Sequence, residues 1–183
     1  MAKAVLISIR PEWVDKILSG EKTLELRKTE PKLETPFKVY IYCTAGNLSY
    51  KVNGGMVCNV SGGKMVVGEF VCDKITWLTH IGFSGLPWIR LAAMKNGHTI
   101  DDSFDFSESC LTTPQIEKYL GGRDGYAWHI SKLEIYDTPK KLSKFLRPFE
   151  NCIGKVCDEY GCAYCENGHI KRPPQSWCYV EEL

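Results

Sequence analysis

The sequence predicts an α+β protein, a mixed or antiparallel β-barrel flanked by short helices, with a small cysteine-rich extension at its C-terminal end. Stretches with a period of two are interrupted by short stretches of helical period, with no repeated strand–helix–strand rhythm and no internal repeat. A chain of 183 residues, 44% of them apolar and with a formal net charge of +1, supports one substantial core. Five of the nine cysteines fall between Cys152 and Cys178. These observations divide the chain into a barrel domain over residues 1–146 and a tail over residues 147–183 that packs on it.

The elements follow in order. Val5, Ile7 and Ile9 alternate with Ala4, Leu6 and Ser8, which predicts a first strand. Pro11 then fits the opening turn of a helix that sets Trp13, Val14, Ile17 and Leu18 on one face, and Gly20 fits its left-handed stop. From about Lys22, Leu24 and Leu26 alternate with Thr23, Glu25 and Arg27, so a second strand buries the leucines and sets Glu25 and Arg27 side by side on its other face. Phe37, Val39, Ile41 and Cys43 alternate with Lys38, Tyr40 and Tyr42 in a third. Gly46 to Lys64, rich in Gly, Asn and Ser, reads as a loop or hairpin extension. Lys64 to Leu78 reads as a long strand in which Gly68 marks a bulge or a close backbone approach. Pro87 to Lys95 reads as a helix with Trp88, Leu91 and Ala92 on one side, stopped by Gly97. Asp101 to Cys110 is an acidic loop, Thr113-Pro114 caps a second short helix ending before Gly121-Gly122, and Tyr126 to Tyr136 returns to strand.

The spacing Gly20-x-Lys22-x-x-Glu25-x-Arg27 is the most informative feature. Glu and Arg on an ordinary solvated strand face form a surface pair contributing at most about 1 kcal/mol. Here the Gly-x-Lys context and its place after the first helix favour the functional reading and mark a candidate site. Arg27 can make paired hydrogen bonds to a phosphate or a nucleobase edge, Lys22 supplies a mobile point charge, and Glu25 can orient Arg27 or accept from an amino group. Tyr42, Tyr126 and Trp128 are candidates for a stacking wall around an unpaired base, although each also suits a barrel core. His129 is a candidate proton shuttle.

Those residues resemble the ASCH family, a branch of the PUA-like β-barrels. Its pattern opens with a strand similar to Ile7-Ser8-Ile9-Arg10-Pro11 and continues through a helix-ending glycine into the Gly-x-Lys-x-x-Glu-x-Arg spacing of Gly20, Lys22, Glu25 and Arg27. Val66-Val67-Gly68-Glu69-Phe70 resembles the family's central barrel strand, and Gly125-Tyr126-Ala127-Trp128-His129-Ile130 its late strand. The resemblance runs from about Lys3 to Phe145, and a similar ending to the chain occurs in bacterial and phage proteins with this domain. It implies a PUA-like fold with a cleft between the barrel and its first helix, ligand contacts from Lys22, Glu25 and Arg27, and RNA or a modified nucleotide as partner. One bacterial branch consists of amidohydrolases acting on acetylated cytidine, with a nucleophilic threonine at the position held here by Glu25. Thr23 lies nearby but out of register with it.

In the tail, Cys162 and Cys165 form a Cys-x-x-Cys pair, the usual half of a tetrahedral zinc centre. Cys157 and Cys178 supply the other half, with Cys152 and His169 as alternates, and the segment has too few aliphatic residues for a core of its own. A structural zinc is therefore expected. Unliganded thiols or a redox-active pair are the competing readings. Lys171-Arg172-Pro173-Pro174 enforces an extended run, after which Trp177, Tyr179 and Val180 form a last strand against the barrel.

No run of about 18 apolar residues is present and the N-terminal residues lack a signal-like core, so a cytoplasmic protein without membrane contact is expected. The near-neutral charge gives no global drive toward nucleic acid, and the basic stretch of Lys140, Lys141, Lys144, Arg147 and Lys155 suits the wet face of an element carrying Leu142 and Phe145 as well as it suits phosphates. The leading functional expectation is binding of RNA or a modified nucleotide at Lys22, Glu25 and Arg27, in RNA metabolism or a transcription-related role. Hydrolysis of RNA or an acylated nucleoside, with Lys22 or Glu25 as acid or base, is the first alternative. A protein-interaction module working through the zinc tail is the second.

Overall fold

Both faces of the first strand are buried, and this places it between two apolar clusters. In the computed structural model, which describes residues 2–51, 55, 57–82, 89–95, 98–99, 104–148 and 168–183, β1 is Lys3–Ile9. Val5, Ile7 and Ile9 meet Val14 and Ile17 of α1 (Pro11–Leu18), Val39 and Ile41 of β3 (Phe37–Cys43), and Phe70 and Trp128. Ala4 and Leu6 meet Tyr40, Tyr42, Phe145, Ile170 and Val180 on the opposite side. A fully buried aliphatic side chain contributes about 1.5–3 kcal/mol, so a strand buried on both faces anchors the domain.

Between β1 and β3 the chain forms β2 (Leu24–Arg27), and after β3 a separate hairpin of β4 (Leu48–Lys51) and β5 (Val57–Val60). The long β6 (Met65–Gly82) leads to β7 (Ile89–Lys95) and β8 (His98–Thr99). Then come α2 (Thr113–Leu120), β9 (Gly125–Lys141) and β10 (Trp177–Glu181). The main sheet runs β10-β1-β3-β6-β7-β8, with β9 pairing both β6 and β2. Only the β1–β3 ladder is parallel among those described. The fold is therefore α+β, a mixed sheet with two short helices. Its ladders leave β2, β8 and β10 at edges, and side chains tie the segment after β2 to β10. Trp177 Nε1 donates to Thr29 Oγ1 at 3.0 Å, and the Tyr179 hydroxyl accepts from Lys32 N at 2.6 Å.

The expected helix from Pro87 to Lys95 is instead a strand, because Ile89–Lys95 is β7, while Pro87 and Trp88 lie outside the described residues. Its register runs from Gly82↔Ile89 to Trp77↔Met94, extending the β6 ladder into a hairpin, while Ala93 joins Leu24, Leu26, Leu78, Ile116 and Leu120 in a third cluster. A short apolar run fits either period, and pairing to an existing edge decides it. Gly68 is a site of close approach, since a Cβ there would stand 2.5 Å from Glu134 O, and the β6–β9 register shifts beside it.

At the C-terminal end, Arg147 N donates to Gly168 O at 2.9 Å, Ile170 N to Phe145 O at 2.8 Å, and Glu181 N to Leu146 O at 3.0 Å. The two ends of the cysteine-rich stretch are thus joined to each other and to β10. Cys152, Cys157, Cys162 and Cys165 lie outside the described residues. No helix among the described residues is long and apolar enough to cross a membrane.

Candidate functional site

The turn that delivers the site begins at the end of α1. Pro11 occupies its first turn, Ser19 closes it, and Gly20 takes a φ of +80°, a conformation that costs glycine least. Lys22 N then donates to Lys16 O at 2.9 Å, and Thr23 N to Glu108 O at 3.0 Å, so residues 22 and 23 are clamped between α1 and the 3-10 turn Phe106–Ser109. β2 pairs with β9 in the register Leu24↔His129, Glu25↔Trp128, Leu26↔Ala127 and Arg27↔Tyr126. Leu24 and Leu26 pack on α2, which directs Glu25 and Arg27 to the opposite face.

There the three charged side chains meet, and they are buried rather than solvated. Lys22 is 3% exposed, and Glu25 and Arg27 are 7% exposed. Lys22 Nζ donates to Leu24 O and Ser109 O at 2.7 Å each and stands 3.4 Å from Glu25 Oε2. Glu25 Oε1 accepts from Arg27 NH2 at 2.9 Å. Arg27 NH2 also donates to Ser8 O at 2.8 Å, and NH1 donates to Ser176 Oγ at 3.3 Å. Desolvating each ion costs several kcal/mol, so a row of three persists only where partners are this numerous. One group remains: Arg27 Nε is buried with no hydrogen-bond partner.

The row lines a cavity of about 560 Å³. Ser8, Ile9, Arg10 and Trp13 contribute one wall, Leu111, Gln115 and Tyr119 a second, and the run Pro173–Ser176 a third. That last run is a strap, held because Ser8 N donates to Ser176 O at 2.9 Å and Ser8 Oγ to Pro174 O at 2.7 Å. Lys22 Nζ lies 5.7 Å from the Trp13 ring centroid. Tyr119 is partly exposed, and burial pushes its hydroxyl above the usual range while the nearby Arg27 charge works the other way. Gln115 is fixed by accepting from Thr112 N at 2.8 Å.

The other expected site residues sit elsewhere. Trp128 is fully buried, between Phe37 and Trp177 at centroid distances of 5.9 Å each. Tyr42 is buried in the cluster with Tyr40 and Phe145, and burial raises its hydroxyl pKa. Tyr126 borders the interior cluster beside Arg27, without lining the cavity. His129 meets Thr76 Oγ1 at 3.1 Å, and burial, reinforced by Lys74, lowers its pKa. The aromatic walls of the cavity are instead Trp13 and Tyr119. Trp13 reads from sequence as part of the apolar helix stripe, and Tyr119 carries no distinguishing pattern; the tertiary approach of two helices to one strand sets both.

Of the expected metal ligands, Cys178 lies on β10 against the Leu6 cluster, where burial pushes its thiol up to about 11, and His169 is exposed at its bridge with Leu146. Among the described residues no group of three or more His, Cys, Asp or Glu is placed to hold a metal.

Neither a family model nor a curated protein sequence matches this chain. Solved structures do. The crystal structure of ASCH from Zymomonas mobilis is similar with a TM-score of 0.54 at 18% identity, over 98% of this chain and 88% of that one. A tyrosine-to-phenylalanine mutant of the same protein is similar with a TM-score of 0.54 at 18% identity, over 99% of this chain and 92% of that one. The chain has the ASCH fold.

Proposed function

We propose that this protein is an ASCH-type binding protein whose cavity takes an unpaired nucleotide, from single-stranded RNA or as a modified nucleotide. The observation that carries the reading is the cavity itself, where the buried row of Lys22, Glu25 and Arg27 lies in one lining with the aromatic side chains of Trp13 and Tyr119. Trp13 and Tyr119 offer flat apolar surface on separate elements, which suits a base. The volume lies in the range of small-molecule sites and is too small for a duplex.

Binding fits the chemistry better than hydrolysis. The donors of Lys22 are committed to two carbonyls and Glu25, so it serves as an anchor rather than a base. Thr23 Oγ1 donates to Glu108 Oε2 at 3.2 Å and does not line the cavity, and no histidine or cysteine lines it among the described residues.

Fluorescence anisotropy of labelled single-stranded RNA tests the reading, with the wild type, Arg27→Ala and Arg27→Lys at about 50 and about 200 mM salt. Salt-sensitive binding by the wild type, weakened in both variants, is expected. Equal affinity in all three proteins would place any RNA contact outside the cavity.

For the tail we propose a structural zinc held by Cys157, Cys162, Cys165 and Cys178, with Cys152 or His169 as replacements. A thiolate-rich donor set suits zinc, and the hydrogen bond from Arg147 N to Gly168 O already brings the ends of the stretch together. Elemental analysis of protein purified without added metal is expected to find stoichiometric zinc, and a zinc-free, fully folded protein would remove this part of the reading.

A further inference from the structure

The polar side chains that line the cavity differ in what they leave free. Lys22 and Arg27 give most of their donors to Glu25 and to protein oxygens, and both Glu25 oxygens face those cations in a residue only 7% exposed. Gln115 differs. It is exposed on the cavity wall, and half of its amide is held in place. Its Oε1 accepts from Thr112 N at 2.8 Å and from Thr112 Oγ1 at 3.0 Å, as part of the capping box that opens α2. A backbone N–H can only donate, so the atom that faces it is the amide oxygen, and the amide cannot turn over without leaving Thr112 N unpaired. What remains is Nε2, with two N–H donors and no acceptor among the described residues. Tyr119 follows one turn later on the same face of α2 and lines the same wall, 38% exposed. A ring lying against Tyr119 has its edge within reach of a side chain that offers donors only.

We infer that Gln115 is the specificity-determining residue of the cavity, and that it selects a base with a keto edge over one with an amino edge, guanine over adenine and uracil over cytosine. The inference rests on the nucleotide-binding reading and sharpens it, because it names which bases the cavity takes. Guanine O6 and N7 and the uracil O4 accept hydrogen bonds, whereas adenine N6 and cytosine N4 present N–H groups that would meet the Nε2 donors. Gln175, on the strap, lines the same cavity without such a tether among the described residues, so its amide can turn either end to a ligand and does not discriminate. One hydrogen bond made or lost in a site open to water corresponds to a preference of about three- to tenfold.

Calorimetric titration of the four ribonucleoside 5′-monophosphates into wild type and Gln115→Glu tests this. A glutamate at this position also accepts from Thr112 N, so the capping box and the melting temperature are kept while the two donors are replaced by an acceptor. The added charge weakens all four ligands alike, so the readout is the ratio of affinities within each pair of bases. The wild type is expected to bind guanine over adenine and uracil over cytosine by about three- to tenfold, and Gln115→Glu to bring both ratios to one or below, because a carboxylate accepts from an amino group. Wild-type ratios of one or below, or a keto preference that survives in folded Gln115→Glu, overturn the assignment of Gln115 while leaving the cavity as a nucleotide site. Absence of binding by all four monophosphates overturns the nucleotide reading together with this inference.

Discussion

At Glu25 a carboxylate stands between two buried cations, and its removal leaves both without compensation. Glu25→Gln keeps the shape and deletes the charge, so it is expected to destabilise the protein by about 3 kcal/mol, read as a lower urea midpoint at unchanged slope. A change below about 0.5 kcal/mol would mean that the row is solvated in solution. Lys22→Met is expected to cost a similar amount, since it strands Leu24 O, Ser109 O and Glu25. His129 supplies a pH-dependent term. Its folded pKa lies below the unfolded value of about 6.5, so the unfolded chain binds the proton first and stability is lost as pH falls through that value. Wild type is expected to lose more stability than His129→Gln between pH 7 and the depressed folded pKa, and parallel profiles would contradict it. The pairing of Glu25 with Arg27 was legible in the sequence because a strand's period sets both on one face, whereas Lys22 precedes β2 and is brought to them by the turn after Gly20. Trp13 was legible only as apolar, since its position beside Lys22 depends on where α1 docks.

Elements show the same division between local and non-local information. Pro11, Gly20 and the Gly121-Gly122 pair punctuate the helices through backbone preferences that act within a few residues, and both helices end where that chemistry puts them. β7 was misread as helix because what fixes it is the edge of β6, contributed from residues 77–82. Gly68 was legible as a close approach, though its neighbour Glu134 was not. Gly68→Ala must push β6 and β9 apart, so a loss of about 2 kcal/mol is expected in thermal or urea unfolding. The strap is the element that ties the tail to the site. Ser8→Ala removes the bond to Pro174 O, so stability should fall by about 1 kcal/mol while nucleotide affinity falls more than that loss alone explains, because Ser176 and Arg27 shift together. Unchanged affinity would show that the strap is only a packing element.

Over the whole molecule, the sheet order brings β1, β2 and the strap before β10 to one place although they lie far apart along the chain. Arg27 touches Ser8 and Ser176 at once. No local pattern reports such a meeting, which is why Ser176 and Gln115 were not foreseen as cavity residues. The same assembly gives the account its central claim, that the cavity lined by Lys22, Glu25, Arg27, Trp13 and Tyr119 is the ligand site. The most direct measurement is the Arg27 Nε–H resonance in a proton–nitrogen correlation spectrum, a buried reporter beside the cavity, assigned with Arg27→Lys and followed during titration with a ribonucleoside 5′-monophosphate. A saturable shift of that resonance as ligand is added is the expected result. A resonance that stays fixed while backbone signals elsewhere move would place the ligand away from Arg27 and contradict the account.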